Sequence, residues 1–436
     1  MSRQGTLIGF AAIATLTSSA MAQQFAEVME FGPQELPGHE RRATPRPERE
    51  EAPAVEAGPA ELLGWWERER ITGDWVGARP MLEDSGLTID CAYIGEWMGV
   101  LDGGVRRKGS VRGLLDVNAT LDLDAAFGWE GAQVFADFYW IDGNSLSADA
   151  GDFQGVSNIE ADNRTQLSEL WFEQVLFEGQ LRIKVGKIEG NAEFGFVEAA
   201  GDFLNSSAGF SPTIVAMTTY PDPATGVVVS WNATDRVSIT GGVFDGAGAV
   251  DGVTTGDLGP ATFFSDDQSD DYAWMGEVNV GWDGGRAGVG VWHHTGDFAR
   301  FDGSGDESGT TGFYALGEHR VWSADDEDER GVDVFGQFGW ADEDVSEVSW
   351  HLAAGAAWMG PFDSRPDDAT GVYVSRAALS GPAGFDDDET TIELFYKVQL
   401  TPAVSVKPDL QFVFNPGGDS TVDDAVVGGV RVEIAF

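Results

Sequence analysis

Apolar and polar residues alternate with a period of two along most of this chain. In the stretch "TTIELFYKVQL" (390–400), every second residue from Ile392 to Leu400 is apolar, and the residues between them include Glu393 and Lys397. Successive side chains of a β-strand point to opposite faces, so such a strand has one apolar and one charged face. The chain ends on a similar strand, with Phe436 as the last residue of its apolar face. The charged faces require water along their whole length, and the apolar faces require surroundings that exclude it.

Stretches with strand character recur from residue 87 to the end. The predicted strands are 87–97, 114–127, 132–140, 165–177, 180–189, 225–232, 235–246, 272–282, 285–296, 313–322, 330–340, 349–359, 369–379, 390–400, 404–414 and 425–436. Their lengths suit tilted strands that cross a bilayer, which need roughly 9–11 residues. Only one short helix is predicted, around 79–84.

The connections between these strands alternate between short and long. The predicted tight turns are 128–131, 178–179, 233–234, 283–284 and 401–403, and the longest links are 98–113, 141–164, 190–224 and 247–271. This alternation is typical of a membrane barrel with short periplasmic turns and long extracellular loops. Links 323–329 and 360–368 are longer than the turns that this scheme requires. The sequence therefore predicts an all-β fold, a transmembrane antiparallel β-barrel of about 16 strands, with Phe436 in the aromatic girdle of the periplasmic rim.

The first residues differ in character from the barrel region. Arg3, an apolar stretch from Leu7 to Leu16 and the small residues around Ala22 predict a secretory signal peptide over 1–22, rather than a buried N-terminal helix. Residues 23–60 are rich in Pro, Glu and Ala and predict an acidic periplasmic linker. The barrel domain is expected to span 61–436.

The charge of the chain restricts its partners. A formal net charge of −47 argues against nucleic acid and anionic headgroups as partners, and favours either a cation-enriching role or adaptation to a salty habitat. The sequence has no GxSxG, Walker or HExxH motif, so neither an enzyme nor a cofactor is expected. Acidic runs such as Asp386 to Glu389 lack the spacing of a calcium loop and are interpreted as solvated charge, so no metal site is expected.

Several motifs, in order, resemble one family. The segment "WWERERITGDWVGARPMLEDSGLTID" (65–90) resembles the opening of the carbohydrate-selective porin family of the Gram-negative outer membrane, the OprB type. The matching residues are Thr72, Gly73, Asp74, Trp75, Gly77, Arg79, Gly86 and Leu87. Stretches 157–174, 181–195, 330–380 and 391–436 are similar to later parts of the family, and the resemblance is weak across 246–312. The resemblance implies a sixteen-stranded barrel, often trimeric, that passes monosaccharides or other small sugars by diffusion.

A sugar pore needs a narrow region with aromatic rings and charged or amide groups. Link 190–224 is a candidate for a loop folded into the barrel, because it is long and rich in small and apolar residues, with four phenylalanines. The candidate lumen residues near the constriction are Arg164, Glu169, Glu173, Lys184, Lys187 and Glu193. Alternatively, these residues form a structural charge ladder on a wet inner wall.

The function expected on this basis is an outer-membrane porin for passive diffusion of small, neutral carbohydrates into the periplasm. The alternative within the same fold is a general or cation-preferring pore, which the charge of −47 favours. An outer-membrane enzyme and an envelope anchor are more remote alternatives. The expected partners are small neutral sugars, outer-membrane lipid and two further copies of the chain in a homotrimer.

Overall fold

The described part of the chain forms one closed antiparallel β-barrel. The computed structural model describes residues 64–250, 263, 271–324 and 330–436. Each strand pairs with its neighbours in sequence, and β1 closes the barrel by pairing with β16. The strands are β1 (Leu87–Asp102), β2 (Gly109–Asp122), β3 (Ala132–Gly143), β4 (Arg164–Leu176), β5 (Leu181–Ile188), β6 (Ala224–Thr234), β7 (Val237–Asp245), β8 (Tyr272–Trp282), β9 (Gly285–Ala299), β10 (Asp306–Ser323), β11 (Gly331–Trp340), β12 (Val348–Met359), β13 (Ala369–Leu379), β14 (Glu389–Thr401), β15 (Val404–Phe414) and β16 (Ala425–Ala435). The prediction of a sixteen-stranded antiparallel barrel is confirmed.

Short helices occur only between strands or before β1 within the described ranges. They are α1 (Ala78–Asp84), α2 (Leu123–Phe127), α3 (Ser147–Ala150), α4 (Ser206–Gly209) and α5 (Ala247–Val250), with 3-10 turns at Trp65–Glu67, Trp75–Gly77, Gly190–Ala192, Glu198–Ala200 and Pro416–Gly418. None of the described helices has the length and apolar character needed to cross a bilayer. The predicted signal peptide (1–22) and linker (23–60) lie outside the described residues, as do 325–329 and most of link 247–271.

The alternation in the sequence corresponds to the two faces of the barrel wall. On β14, Leu394 and Leu400 are 42% and 52% exposed on the outer face, whereas Glu393 is completely buried on the inner face. On β15, Lys407 and Gln411 are likewise buried inside. An Arg or Lys on the lipid face near the bilayer midplane would cost about 2–4 kcal/mol, which explains the strict alternation.

Several strand ends differ from the prediction: β10 begins at Asp306 instead of 313, and β1 and β2 differ at both sides of their connection. The second strand was expected to run to residue 127, but β2 ends at Asp122 and residues 123–127 form α2. The Asp122 side chain accepts hydrogen bonds from the amides of Asp124 (2.8 Å) and Ala125 (3.2 Å), so it caps the helix. The same strand pair extends further at its other end, which reduces the predicted link 98–113 to residues 103–108.

The segment before β1 joins the seam where the barrel closes. The amide of Ile71 donates to the carbonyl of Ala435 (2.9 Å), and the Arg79 guanidinium donates to the carbonyl of Phe436 (2.9 Å). The amide of Phe436 donates to the carbonyl of Cys91 on β1 (2.8 Å). The last residue of the chain is therefore held by both the N-terminal segment and the first strand.

Candidate pore constriction

The link between β5 and β6, residues 189–223, folds into the barrel. Phe194, Phe203 and Phe210 of this link are at most 1% exposed and belong to one apolar cluster with inner-wall side chains of β6 to β14. The rings of Phe203 and Phe395 on β14 lie 4.9 Å apart, centre to centre, and are nearly perpendicular. The inward-folded loop (residues 189–223) therefore packs against the inner wall, in agreement with the expectation for link 190–224.

Inner-wall glutamates hold the backbone of the inward-folded loop. Glu277 on β8 accepts from the amide of Gly195 (2.7 Å), and Glu318 on β10 accepts from the amide of Ala199 (2.8 Å). Glu393 on β14 accepts from the amides of Leu204 (2.5 Å) and Asn205 (2.9 Å). Each bond ties a loop amide to a different strand of the wall, so together these side chains fix the course of the loop.

A second link, residues 144–163 between β3 and β4, also enters the barrel. Glu389 on β14 accepts from the amides of Phe153 (2.7 Å) and Gln154 (2.9 Å). Arg431 on β16 donates to Asn158 (2.6 Å) and pairs with Glu96 on β1 (3.0 Å). Both links therefore occupy part of the interior and narrow it, and both are held by glutamates of β14.

A cluster of paired charges lies where the inward-folded loop leaves β5. Glu193 of the loop pairs with Lys184 (2.5 Å) and Arg182 (3.1 Å), which both project inward from β5. Arg182 also pairs with Glu173 on β4 (3.0 Å). The Lys184 ammonium lies 4.1 Å from the ring centre of Trp171, so it makes a cation–π contact as well. We call Glu173, Arg182, Lys184 and Glu193 the charged cluster.

The cations of the charged cluster determine the ionisation of Glu193. Burial alone would raise the pKa of this carboxyl, but the charges of Lys184 and Arg182 lower its pKa to about 2. Glu193 is therefore ionised at any pH at which an outer surface normally operates.

An aromatic surface adjoins the charged cluster. The rings of Phe135 on β3 and Trp171 on β4 stack with centres 4.9 Å apart, and both side chains are half-buried. Gln133 on the same inner face donates to Glu173 (2.9 Å). Ring faces, an amide and carboxylates thus occur together on one part of the inner wall.

The structure brings three of the six sequence-predicted residues into the charged cluster: Glu173, Lys184 and Glu193. Glu169 lies beside it, accepting from the Trp171 indole (3.1 Å) and from the amide of Glu189 (2.8 Å). Arg164 lies at the long-loop end of β4, where it pairs with Asp222 of the inward-folded loop (2.6 Å).

Lys187 differs from the expectation that it faces the lumen. It is three residues from Lys184 on the same strand, so the two side chains project from opposite faces. Its ammonium donates to the carbonyl of Leu167, a residue that is 48% exposed on the outer face. Lys187 is therefore an outer-face residue.

Sequence reasoning did not select a second charged group inside the barrel. Asp202 of the inward-folded loop pairs with Lys407 on β15 (2.9 Å) and Lys397 on β14 (3.1 Å). Although burial opposes it, these two cations hold the pKa of Asp202 well below its usual range. Its partners lie 195 and 205 residues away, so no local pattern identifies them. Arg182 was also left out of the predicted set, although its separation from Lys184 by two residues places both on one face.

A closed barrel that is narrowed by inward-folded links and lined with paired charges defines a channel protein of the porin class. The family model described as "Carbohydrate-selective porin, OprB family" matches residues 106–436. The chain therefore belongs to the carbohydrate-selective porin family OprB. Membership of this family and the barrel fold point to a sugar channel of the outer membrane rather than to an enzyme.

Individual relatives are distant but align over most of their length. Porin B of Pseudomonas aeruginosa is 24% identical over 84% of this chain and 91% of its own length. The putative porin QuiX of Acinetobacter baylyi is 23% identical over 85% of this chain and 94% of its own length. The high-pH structure of Pseudomonas putida OprB superimposes with a TM-score of 0.77 at 22% identity, covering 86% of this chain and all of that one.

Proposed function

We propose that this protein is a porin through which small neutral carbohydrates of the monosaccharide class diffuse passively across the outer membrane into the periplasm. The observation that carries the proposal is the charged cluster beside the stacked rings of Phe135 and Trp171, at the point where the inward-folded loop narrows the barrel. In this proposal Arg164, Glu169, Glu173, Lys184 and Glu193 are groups along the solute path, with Arg182 added and Lys187 removed.

The chemistry of this wall suits a sugar. The half-buried rings of Phe135 and Trp171 can contact the apolar face of a pyranose ring. Its hydroxyl groups can exchange their water for the carboxylate of Glu173 and the amide of Gln133, which already share a hydrogen bond. Because the charged groups are also paired with one another, each contact with a passing sugar is weak enough for the sugar to leave.

The same proposal implies a location in the outer membrane, contact with lipid and an oligomeric state. The predicted signal peptide would export the chain through the inner membrane of a Gram-negative-type bacterium. The exposed apolar residues of the outer face would contact outer-membrane lipid. We further propose a homotrimer, on the resemblance to the family alone.

Liposome swelling with sugars of graded size tests the proposal. We expect rapid swelling with a hexose, slower swelling with a disaccharide and none with a large oligosaccharide, because the inward-folded loop limits the passage. The replacement Trp171→Ala should reduce the preference for a hexose over a polyol of similar size. Liposomes that stay impermeable to every sugar would refute a sugar pore.

A cation-preferring general pore is the second candidate, and the net charge of −47 favours it. Single-channel reversal potentials in a salt gradient separate the two functions. Strong cation preference, with a current that added hexose does not block, would support the general pore and contradict sugar selectivity.

A further inference from the structure

Two aspartates on adjacent strands of the inner wall lie against each other instead of against a cation. Asp116 on β2 and Asp137 on β3 are 4% and 3% exposed, and their carboxyl groups are in side-chain hydrogen-bond contact. Two ionised carboxylates cannot share a hydrogen bond, so either a proton or a metal cation must lie between them. By contrast, Glu173 and Glu193 face Arg182 and Lys184.

No basic side chain in the described ranges forms an ion pair with either aspartate. Arg70, which enters the same end of the barrel, pairs with Asp90 (2.6 Å) and Glu83 (3.6 Å) instead. Without a shared proton, the two aspartates would place an excess of negative charge on a buried wall, which a cation would relieve.

An amide oxygen beside the two aspartates has no hydrogen-bond donor among the described residues. Asn118 on β2 is 6% exposed and lies directly opposite Asp137 in the strand register. Its side-chain amide donates a long hydrogen bond to the Asp116 carboxylate (3.4 Å). The carbonyl oxygen of Asn118 and one carboxylate oxygen of Asp137 are both buried without a hydrogen-bond partner. A single shared proton would satisfy the contact between the carboxyl groups but would leave these two acceptors unsatisfied. A cation that accepts several oxygen ligands would satisfy all of them.

We propose that Asp116, Asn118 and Asp137 bind a hard divalent cation of the calcium type on the inner wall of the barrel. Carboxylate and amide oxygens are the ligands that such a cation prefers, and water would complete its coordination. Within the described ranges no group of three or more His, Cys, Asp or Glu side chains is arranged to hold a metal, and the proposed site uses only two carboxylates and one amide. We therefore expect weak binding, with a dissociation constant of about 0.1–1 mM, as in other sites with few charged ligands.

Terbium luminescence of the full chain in detergent tests this site. Tb³⁺ replaces Ca²⁺ in oxygen-ligand sites, and the Tyr139 hydroxyl contacts Asp137, so this tyrosine can sensitise emission from a bound ion. We expect saturable emission in the parent protein that Ca²⁺ reverses. The double variant D116N/D137N should lose the emission of one ion per chain. The matched control D235N/D283N removes two acids in exposed turns and should retain it.

A gain-of-binding variant keeps the test independent of folding defects. N118D supplies a third carboxylate, and we expect it to tighten Ca²⁺ binding by about tenfold, since affinity rises with the number of charged ligands. Emission that is equal in D116N/D137N and in the parent, or Ca²⁺ affinity that is unchanged or weaker in N118D, would overturn the metal site and indicate that a proton joins the two aspartates.

Discussion

Replacement of Glu193 by Gln tests the charged cluster in the constriction. The Glu193 side chain is only 2% exposed and pairs with Lys184 (2.5 Å) and Arg182. Against the opposing effect of burial, these cations lower its pKa from an ordinary 4.5 to about 2. A difference of this size between folded and unfolded chains corresponds to about 3 kcal/mol at neutral pH. Because Arg182 is one-third exposed and keeps Glu173, we expect E193Q to lower the free energy of unfolding by about 1–3 kcal/mol.

The pH dependence of this effect has a definite sign. The pKa of Glu193 is lower in the folded protein than in the unfolded chain, so its stabilisation is complete above pH 4.5 and is lost as the pH falls toward 2. In E193Q this site contributes nothing in that window, and the two proteins should converge in stability at the acidic end. Guanidinium unfolding and refolding of the detergent-solubilised protein, followed by tryptophan fluorescence, measures both quantities.

The same replacement should change ion selectivity. Without the Glu193 carboxylate, Arg182 and Lys184 are left with Glu173 as their remaining partner in the cluster, so the constriction gains one net positive charge. The reversal potential in a salt gradient should therefore move toward anion preference. D235N is the control, because it removes one negative charge in an exposed turn between β6 and β7, and it should leave the reversal potential unchanged. If E193Q unfolds like the parent at neutral pH, keeps the parent's pH profile and leaves the reversal potential unchanged, the ion pairs do not stabilise the constriction.

Three further replacements examine other parts of the barrel. E393A removes the acceptor for two loop amides and leaves these buried donors unpaired, at a cost of about 1–3 kcal/mol each, so single-channel recordings should show larger and noisier currents. A quiet current of parent size would contradict the anchoring role. K187Q should leave conductance and reversal potential unchanged because Lys187 lies on the outer face. A reversal-potential shift as large as that of K184Q would instead place the Lys187 side chain in the lumen. R79A removes the hydrogen bond to the carbonyl of Phe436, so it should lower the temperature at which the unboiled barrel loses its compact mobility on gels. The control R236A, in an exposed turn, should not lower this temperature. Equal effects of the two replacements would argue against a seam contact.

The strands and their two faces were predictable from sequence because lipid and water act on each residue separately. A residue on the wrong face costs free energy wherever it occurs, so alternation in stretches such as 390–400 and 404–414 predicts both the strand and its orientation. The same alternation also determines which inner-wall charges belong to the site. Lys187 has the wrong parity relative to Lys184, whereas Arg182 has the right one.

Local side-chain chemistry decided the end of β2. Asp122 continues the polar alternation of β2, which favours strand, but its carboxylate can also cap a helix. The alternation rule does not weigh these two uses of one side chain. Residues 123–127 therefore form α2 although their pattern predicts strand.

Only the closed barrel decided how the interior is filled. Glu277, Glu318 and Glu393 are separated from the loop amides they accept by 82, 119 and 189 residues, and nothing in their local sequence distinguishes them from other inward-facing acids. A carboxylate on the inner wall satisfies the alternation rule equally well whether it meets water, a cation or a backbone amide. Closure of the barrel brings distant strands around one narrow interior. The groups present in that interior determine whether each carboxylate contacts water, a cation or a backbone amide.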